Sequence, residues 1–97
     1  MENEVKTSPG ENFQVKLGGN ATTGFRWEFV PVPENAGLVE FLNTSYEANK
    51  EQVGAPGLFR FQFRALASGR TGLSFVYRRP WEQAEPRERT TIAVDIN

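Results

Sequence analysis

The chain contains no cysteine and no histidine. Without cysteine it forms no disulfides, so the fold must depend on packing alone. Thiolate and imidazole metal ligands are also missing, as are the Ser-His-Asp and Cys-His systems that activate a nucleophile. No carboxylate pair or lysine stands in a recognisable catalytic setting. The sequence therefore predicts a protein that is not an enzyme and that uses no cofactor and no metal.

Long apolar runs and an excess of one charge are absent too. No run approaches the roughly 20 residues that a membrane-spanning helix needs. A formal net charge of −1 leaves no electrostatic footprint for nucleic acid. We therefore expect neither a membrane nor nucleic acid as a partner. Residues 1–12 are polar and contain no apolar leader, which fits a cytoplasmic protein or the mature form of a secreted or periplasmic one.

What the chain does contain is a regular alternation of apolar and polar residues. Its 97 residues, 38% hydrophobic and 24% charged, have the composition of one globular domain covering residues 1–97. Alternation with a period of two indicates half-buried strands. Residues 38–46 fit a less regular strand and residues 2–7 a short edge strand. The clear alternation occurs in residues 13–17, 25–29, 59–65, 73–77 and 92–96.

Glycine- and proline-rich segments separate these predicted strands. No segment has the pattern of an amphipathic helix, so strands between short turns predict two antiparallel sheets packed face to face. The expected fold is an all-β, immunoglobulin-like sandwich of about seven or eight strands. Trp27, on the apolar face of an early strand, fits that architecture, which often buries a tryptophan at a comparable place. The turn signals lie at residues 18–20, 31–37, 54–57, 68–72 and 79–86.

Three of these turns carry unusual residues, and the first covers residues 20–25, Asn-Ala-Thr-Thr-Gly-Phe. Asn20 can accept local backbone hydrogen bonds, and Gly24 allows a conformation that other residues avoid. Thr22 and Thr23 are small and polar enough to approach another backbone closely. Taken alone, the segment fits either an ordinary tight turn before a strand or a binding loop.

The second turn covers residues 54–57, Gly-Ala-Pro-Gly. It is not a phosphate-binding loop, because the Lys-Ser/Thr that would follow is absent. In isolation it fits a flexible hairpin connection. The other interpretation is that its glycines let the backbone lie flat against a partner and pair with it along a strand edge.

The third turn covers residues 79–81, Arg-Pro-Trp. Pro80 stiffens it, and Trp81 falls just beyond the alternating core positions of residues 73–77. Because tryptophan and arginine dominate interface hot spots, Trp81 beside Arg78 and Arg79 suits a binding anchor. The alternative is that Trp81 packs back over an open end of the sandwich.

Together, the three turns resemble the motifs of the chagasin family of cysteine-peptidase inhibitors. That family carries an Asn-Pro-Thr-Thr-Gly-aromatic turn, a Gly-X-Gly-Gly turn and an Arg-Pro-Trp/Phe turn, in this order. The order and spacing fit over nearly the whole chain. The matching residues, which are the predicted peptidase-binding residues, are Asn20, Ala21, Thr22, Thr23, Gly24 and Phe25, then Gly54, Ala55, Pro56 and Gly57, then Arg79, Pro80 and Trp81.

The resemblance implies an immunoglobulin-like sandwich that reversibly inhibits papain-like cysteine peptidases. It places the first turn over the catalytic cysteine of the peptidase and the second along its substrate-binding strand edge. The third turn then lies on the other side of the cleft. The residues in these three roles are Thr22 and Thr23, Gly54 and Gly57, and Arg79 and Trp81, respectively.

Two residues depart from the family motifs. Ala21 replaces a proline, so the first turn has lost one source of stiffness. Pro56 replaces the third-position glycine of the second turn, which removes a backbone N–H and fixes one dihedral angle. If the family uses that amide to contact the peptidase, the contact is lost here.

Two other interpretations stay open from the residues themselves. A binding or adhesion sandwich would use Trp81 with the neighbouring arginines to recognise a carbohydrate or a surface protein. A structural module of a larger assembly would use the turns only for its fold. The resemblance favours a monomeric inhibitor whose partner is a papain-like cysteine peptidase.

Overall fold

The computed structural model describes residues 4–20, 23–48 and 56–97. Within these residues the chain forms seven strands, and a short 3-10 helix, Pro33–Asn35, precedes the fourth of them. Every strand predicted from the alternation is present. The strands are β1 (Glu4–Thr7), β2 (Asn12–Gly19), β3 (Arg26–Val30), β4 (Val39–Glu47), β5 (Gly57–Ala65), β6 (Gly69–Arg78) and β7 (Glu88–Ile96).

The strands form two sheets. One has the order β1-β7-β6-β3 and the other the order β2-β5-β4. Neighbouring strands are antiparallel except β1, which lies parallel to β7. A four-stranded sheet on a three-stranded one is the strand division of an immunoglobulin-like sandwich. The predicted fold class is confirmed, although the sequence did not predict the parallel pair.

The core lies between the sheets and consists largely of phenylalanine. Phe61, Phe63 and Phe75 are each at most 1% exposed. The rings of Phe61 and Phe75 have centroids 4.9 Å apart, and Phe29 meets Phe63 edge-on at 5.1 Å. Aromatic pairs of this kind add to stability beyond the area they bury, which matters in a chain without disulfides. The other buried apolar residues are Val15, Trp27, Val39, Phe59, Ala65, Leu73, Ile92, Val94 and Ile96.

Two of the predicted turns are shorter than expected. Strand β6 begins at Gly69 and Arg70 pairs with Asp95, so the predicted turn at residues 68–72 is wrong beyond its first residue. Strand β2 likewise continues through Gly19, inside the predicted turn at residues 18–20. In both places a neighbouring strand supplies hydrogen bonds to glycines that looked like turn residues.

Gly57, the first residue of β5, has no room for a side chain. A Cβ on Gly57 would overlap the carbonyl oxygen of Glu47 and lie 2.5 Å from the hydroxyl oxygen of Tyr46. We therefore expect Gly57→Ala to lower the free energy of unfolding by about 1–3 kcal/mol, the usual effect of overpacking. Urea denaturation measures this change.

Gly18→Ala is the matched control for that substitution. Its Cβ would lie 3.9 Å from the carbonyl oxygen of Gly57, an ordinary contact. The free energy of unfolding should then change by no more than about 0.5 kcal/mol. If the Gly57→Ala variant is as stable as the parent, the Tyr46 side chain and the Glu47 backbone must move to accommodate the methyl group without a cost in stability.

Candidate functional site

The three turns that carry the predicted binding residues leave the sandwich at the same end. There Gly19 of β2 pairs with Gly57 of β5, and Arg26 of β3 pairs with Arg78 of β6. The first turn follows β2, the second leads into β5 and the third follows β6. Four of the predicted residues lie outside the described residues, namely Ala21, Thr22, Gly54 and Ala55.

The described part of the first turn is closed by Thr23 and Gly24. The backbone N–H and the Oγ1 of Thr23 both donate to the Asn20 carbonyl oxygen, at 3.3 and 2.8 Å. Gly24 has a φ of 87°, a conformation that strongly favours glycine. The chain therefore reverses at Gly24 immediately before it enters β3, as the sequence predicted.

The third turn lies directly against the first. Arg79 Nε donates a hydrogen bond to the carbonyl oxygen of Thr23 at 3.2 Å. The guanidinium carbon of Arg79 lies 4.5 Å from the ring centroid of Phe25. The indole ring of Trp81 covers Gly24 so closely that a Cβ there would come within 2.5 Å of it. Residues that are more than 50 positions apart thus form one continuous edge.

Trp81 lies on the first turn and remains largely exposed to solvent. Its exposure of 69% is the highest among the exposed large apolar residues that the structure describes. This exposure does not fit the alternative in which Trp81 packs back over the open end of the sandwich and closes it. The turn beneath it is held by Pro80 and by the Glu82 N–H, which donates to the Arg79 carbonyl oxygen at 3.0 Å. A large exposed ring on a fixed backbone is a suitable interface anchor.

The second turn borders the first across a small cleft. Pro56 is exposed and lines a cavity of about 520 Å³ together with Asn20, Thr23 and Phe25. Gly57, in contrast, belongs to β5 and is only half-exposed. The structure therefore brings the described residues of all three turns to one end, with Gly57 contributing a paired strand position.

Sequence reasoning missed three aromatic residues that hold the end of β2 from below. Tyr77 Oη accepts a hydrogen bond from the Asn20 N–H at 3.2 Å. Trp27 Nε1 donates to the Gly18 carbonyl oxygen at 3.0 Å, and Tyr46 Oη donates to that of Gly19 at 3.4 Å. A tyrosine at the last apolar position of an alternating segment is the signal that could have revealed this. Its ring completes the core while its hydroxyl reaches the turn.

The arginines around the third turn are paired with carboxylates. Arg78 Nε lies 2.6 Å from Glu28 Oε1, and Arg79 Nη1 lies 3.5 Å from Glu82 Oε2. Exposed pairs of this kind contribute little to stability but keep the local charge close to balanced.

The described residues contain no group of acidic side chains that could hold a metal ion. They also contain no helix long and apolar enough to cross a bilayer.

A sandwich that joins separate turns into one exposed edge, around a solvent-facing tryptophan, has the architecture of a binding protein. The chain belongs to the chagasin family, because the family model described as "Chagasin family peptidase inhibitor I42" matches residues 6–96. The resemblance drawn from the three turns is thereby confirmed. A family of peptidase inhibitors also confirms the prediction that the protein is not an enzyme.

Individual relatives show the same relationship. Chagasin from Trypanosoma cruzi is 28% identical over 92 residues, which cover 91% of this chain and 84% of chagasin. Amoebiasin-1 from Entamoeba histolytica is 25% identical over 92 residues, which cover 95% of this chain and 88% of amoebiasin-1.

Solved structures show the same fold. The crystal structure of a cysteine protease inhibitor from Entamoeba histolytica has a TM-score of 0.75 and 23% identity, covering 97% of this chain and 85% of that one. The solution structure of amebosin has a TM-score of 0.65 and 25% identity, covering 97% of this chain and 86% of amebosin.

Proposed function

We propose that the protein is a reversible, competitive inhibitor of papain-like cysteine peptidases, and that residues 1–97 form a single inhibitor domain. The family supports a peptidase as the partner, and a protein of the same fold is named as a cysteine protease inhibitor. The observation that carries the proposal is the junction of the first and third turns, where Arg79 bonds to Thr23 and Trp81 covers Gly24. Two distant motifs thus make one edge of the kind that can enter a groove.

The edge acts as a wedge in the active-site cleft. The first turn fills the space of a scissile peptide and carries Thr22 and Thr23 to the catalytic cysteine. No carbonyl is held at attack distance with a leaving group aligned, so the thiolate has nothing to cleave. The second turn lies along the substrate-binding strand edge, and Trp81 occupies the far side of the cleft. The inhibitor therefore stays intact and leaves only by dissociation.

Rigidity of the edge supports tight binding, because less ordering entropy is lost on association. Ala21 removes the family proline from the first turn, but hydrogen bonds from Asn20 to Tyr77 and from Arg79 to Thr23 hold both ends of that turn. Pro56 removes one main-chain donor from the second turn. We therefore expect the first and third turns to supply most of the affinity. The interface should be of ordinary size, roughly 800 Å² on each partner.

A titration of active papain with the protein tests the proposal. We expect the peptidase activity to fall in proportion to added inhibitor, to return on dilution, and to respond to substrate as competitive inhibition does. Mass spectrometry should find the inhibitor uncleaved after long incubation. Unchanged activity at micromolar inhibitor would contradict the proposal and favour a sandwich that recognises a carbohydrate or surface protein. The protein should act as a monomer, with no nucleic acid or membrane as partner.

A further inference from the structure

The Arg79 side chain makes three contacts within the protein. Its Nε donates to the Thr23 carbonyl oxygen at 3.2 Å, and its guanidinium carbon lies over the Phe25 ring, 4.5 Å from the centroid. Its Nη1 lies 3.5 Å from the carboxylate of Glu82. The side chain is only 38% exposed. Three different parts of one side chain are thus engaged with three neighbours.

These contacts connect two separate turns. Thr23 and Phe25 belong to the first turn, whereas Arg79 and Glu82 belong to the segment after β6. The Phe25 ring is also stacked on Tyr77, with centroids 5.2 Å apart, so it is held on the sandwich as well as by the arginine. Removal of the Arg79 side chain would leave the Thr23 carbonyl and the Trp81 turn without this link.

We propose that Arg79 is a positioning residue of the peptidase-binding edge. It fixes the first turn against the third before the peptidase arrives, so that Thr23, Gly24 and Trp81 meet the cleft in one prearranged shape. The resemblance to the family motifs implies a peptidase contact for Arg79, and the geometry points to this different role. The inference rests on the proposed inhibition of papain-like peptidases.

An arginine suits this role better than a lysine. A guanidinium group can donate from Nε in its plane while its face lies on an aromatic ring, whereas a lysine ammonium is a compact charge with no planar face. The role therefore depends on the shape of the group as well as on its charge. This distinction makes the Arg79→Lys variant informative.

The experiment compares Arg79→Ala, Arg79→Lys and the control Arg89→Ala. Arg89 also loses one positive charge, but it pairs with Glu85 at 2.6 Å and is not part of the turns. For each variant we measure the inhibition constant against papain, the urea midpoint and the proton NMR spectrum of the free protein. The Gly24 Hα that takes the place of a Cβ points at the Trp81 ring, so the ring-current shift of the Gly24 Hα signals reports whether the two turns stay together.

We expect Arg79→Ala to weaken inhibition about 10-fold or more, since a hydrogen bond from a charged donor is lost. The Gly24 shifts should move toward ordinary values in the free protein, while the urea midpoint stays near that of the parent. Arg79→Lys should remain several-fold weaker with the Gly24 shifts only partly restored. Arg89→Ala should match the parent in all three measurements.

A double substitution separates positioning from direct contact. If Arg79 acts through the first turn, Arg79→Ala should weaken inhibition less in a Phe25→Leu background than in the parent. Weaker inhibition with unchanged Gly24 shifts would overturn the proposal in favour of a direct peptidase contact. Full rescue by Arg79→Lys would overturn it in favour of charge alone. If the parent does not inhibit papain at all, the proposed function fails, whereas the Gly24 shifts still test the link between the turns.

Discussion

Replacing Trp81 with alanine should weaken inhibition of papain by about 30- to 1000-fold, which corresponds to roughly 2–4 kcal/mol of binding free energy. Trp81 is 69% exposed, and its ring lies against Gly24 of the first turn. The side chain therefore contributes little to the stability of the free protein, and the change in urea midpoint should be no larger than that of ordinary surface substitutions. The inhibition constant and the urea midpoint, measured on the same preparation, test both parts of this expectation.

Leu66→Ala is the matched control for the tryptophan variant. Leu66 is also a large apolar residue with 45% exposure, but it follows β5 at the opposite end from Gly57. Its removal should leave the inhibition constant unchanged. If Trp81→Ala inhibits papain as well as the parent does, Trp81 is not the anchor, and the affinity must come from the first two turns.

The period-two pattern was sufficient to predict the strands. Residues 59–65 alternate phenylalanine with polar residues, and every phenylalanine of that segment is buried in β5. The same logic located β2, β3, β6 and β7, because one face of each strand is covered by the other sheet and the opposite face meets solvent. The strands were predictable because this signal is local to each segment.

Pairing between distant strands was not predictable in the same way. Gly69 and the residues after it looked like a turn, yet Arg70 pairs with Asp95 on a strand that begins almost 20 residues later. The parallel pairing of β1 with β7 joins the two ends of the chain. A local pattern contains no information on which partner will supply the hydrogen bonds.

The candidate site shows the same division. Each turn was recognisable from its own residues, and the family resemblance supplied their common purpose. The roles of Arg79 and Tyr77 were not recognisable, because each acts on a turn more than 50 residues away. Sequence reasoning predicted that Arg79 contacts the peptidase, since an arginine beside a tryptophan on a turn suggests an interface. Its actual contacts emerge only when the turns are placed side by side.

Phe75→Ala should have the largest effect on stability, lowering the free energy of unfolding by about 3–5 kcal/mol. Phe75 is 0% exposed and packs against Phe61 and Phe29, with ring centroids 4.9 and 5.6 Å away. The substitution would leave a cavity in the centre of the core. Phe41→Ala is the matched control, because Phe41 is 44% exposed. This substitution should lower the free energy of unfolding by less than half as much as Phe75→Ala does. Urea denaturation measures both, and a Phe75 value below about 1 kcal/mol would contradict the expectation.

The Phe75 and Trp81 variants should separate stability from binding in opposite ways. If only folded molecules inhibit, the apparent inhibition constant equals the constant of the folded protein divided by the folded fraction. Even if the Phe75 substitution reduced the free energy of unfolding to zero, half of the protein would stay folded and the inhibition constant would rise only about twofold. The Trp81 variant should keep its stability and lose its affinity. A large loss of affinity in a Phe75 variant that is still mostly folded would mean that the core also shapes the binding edge.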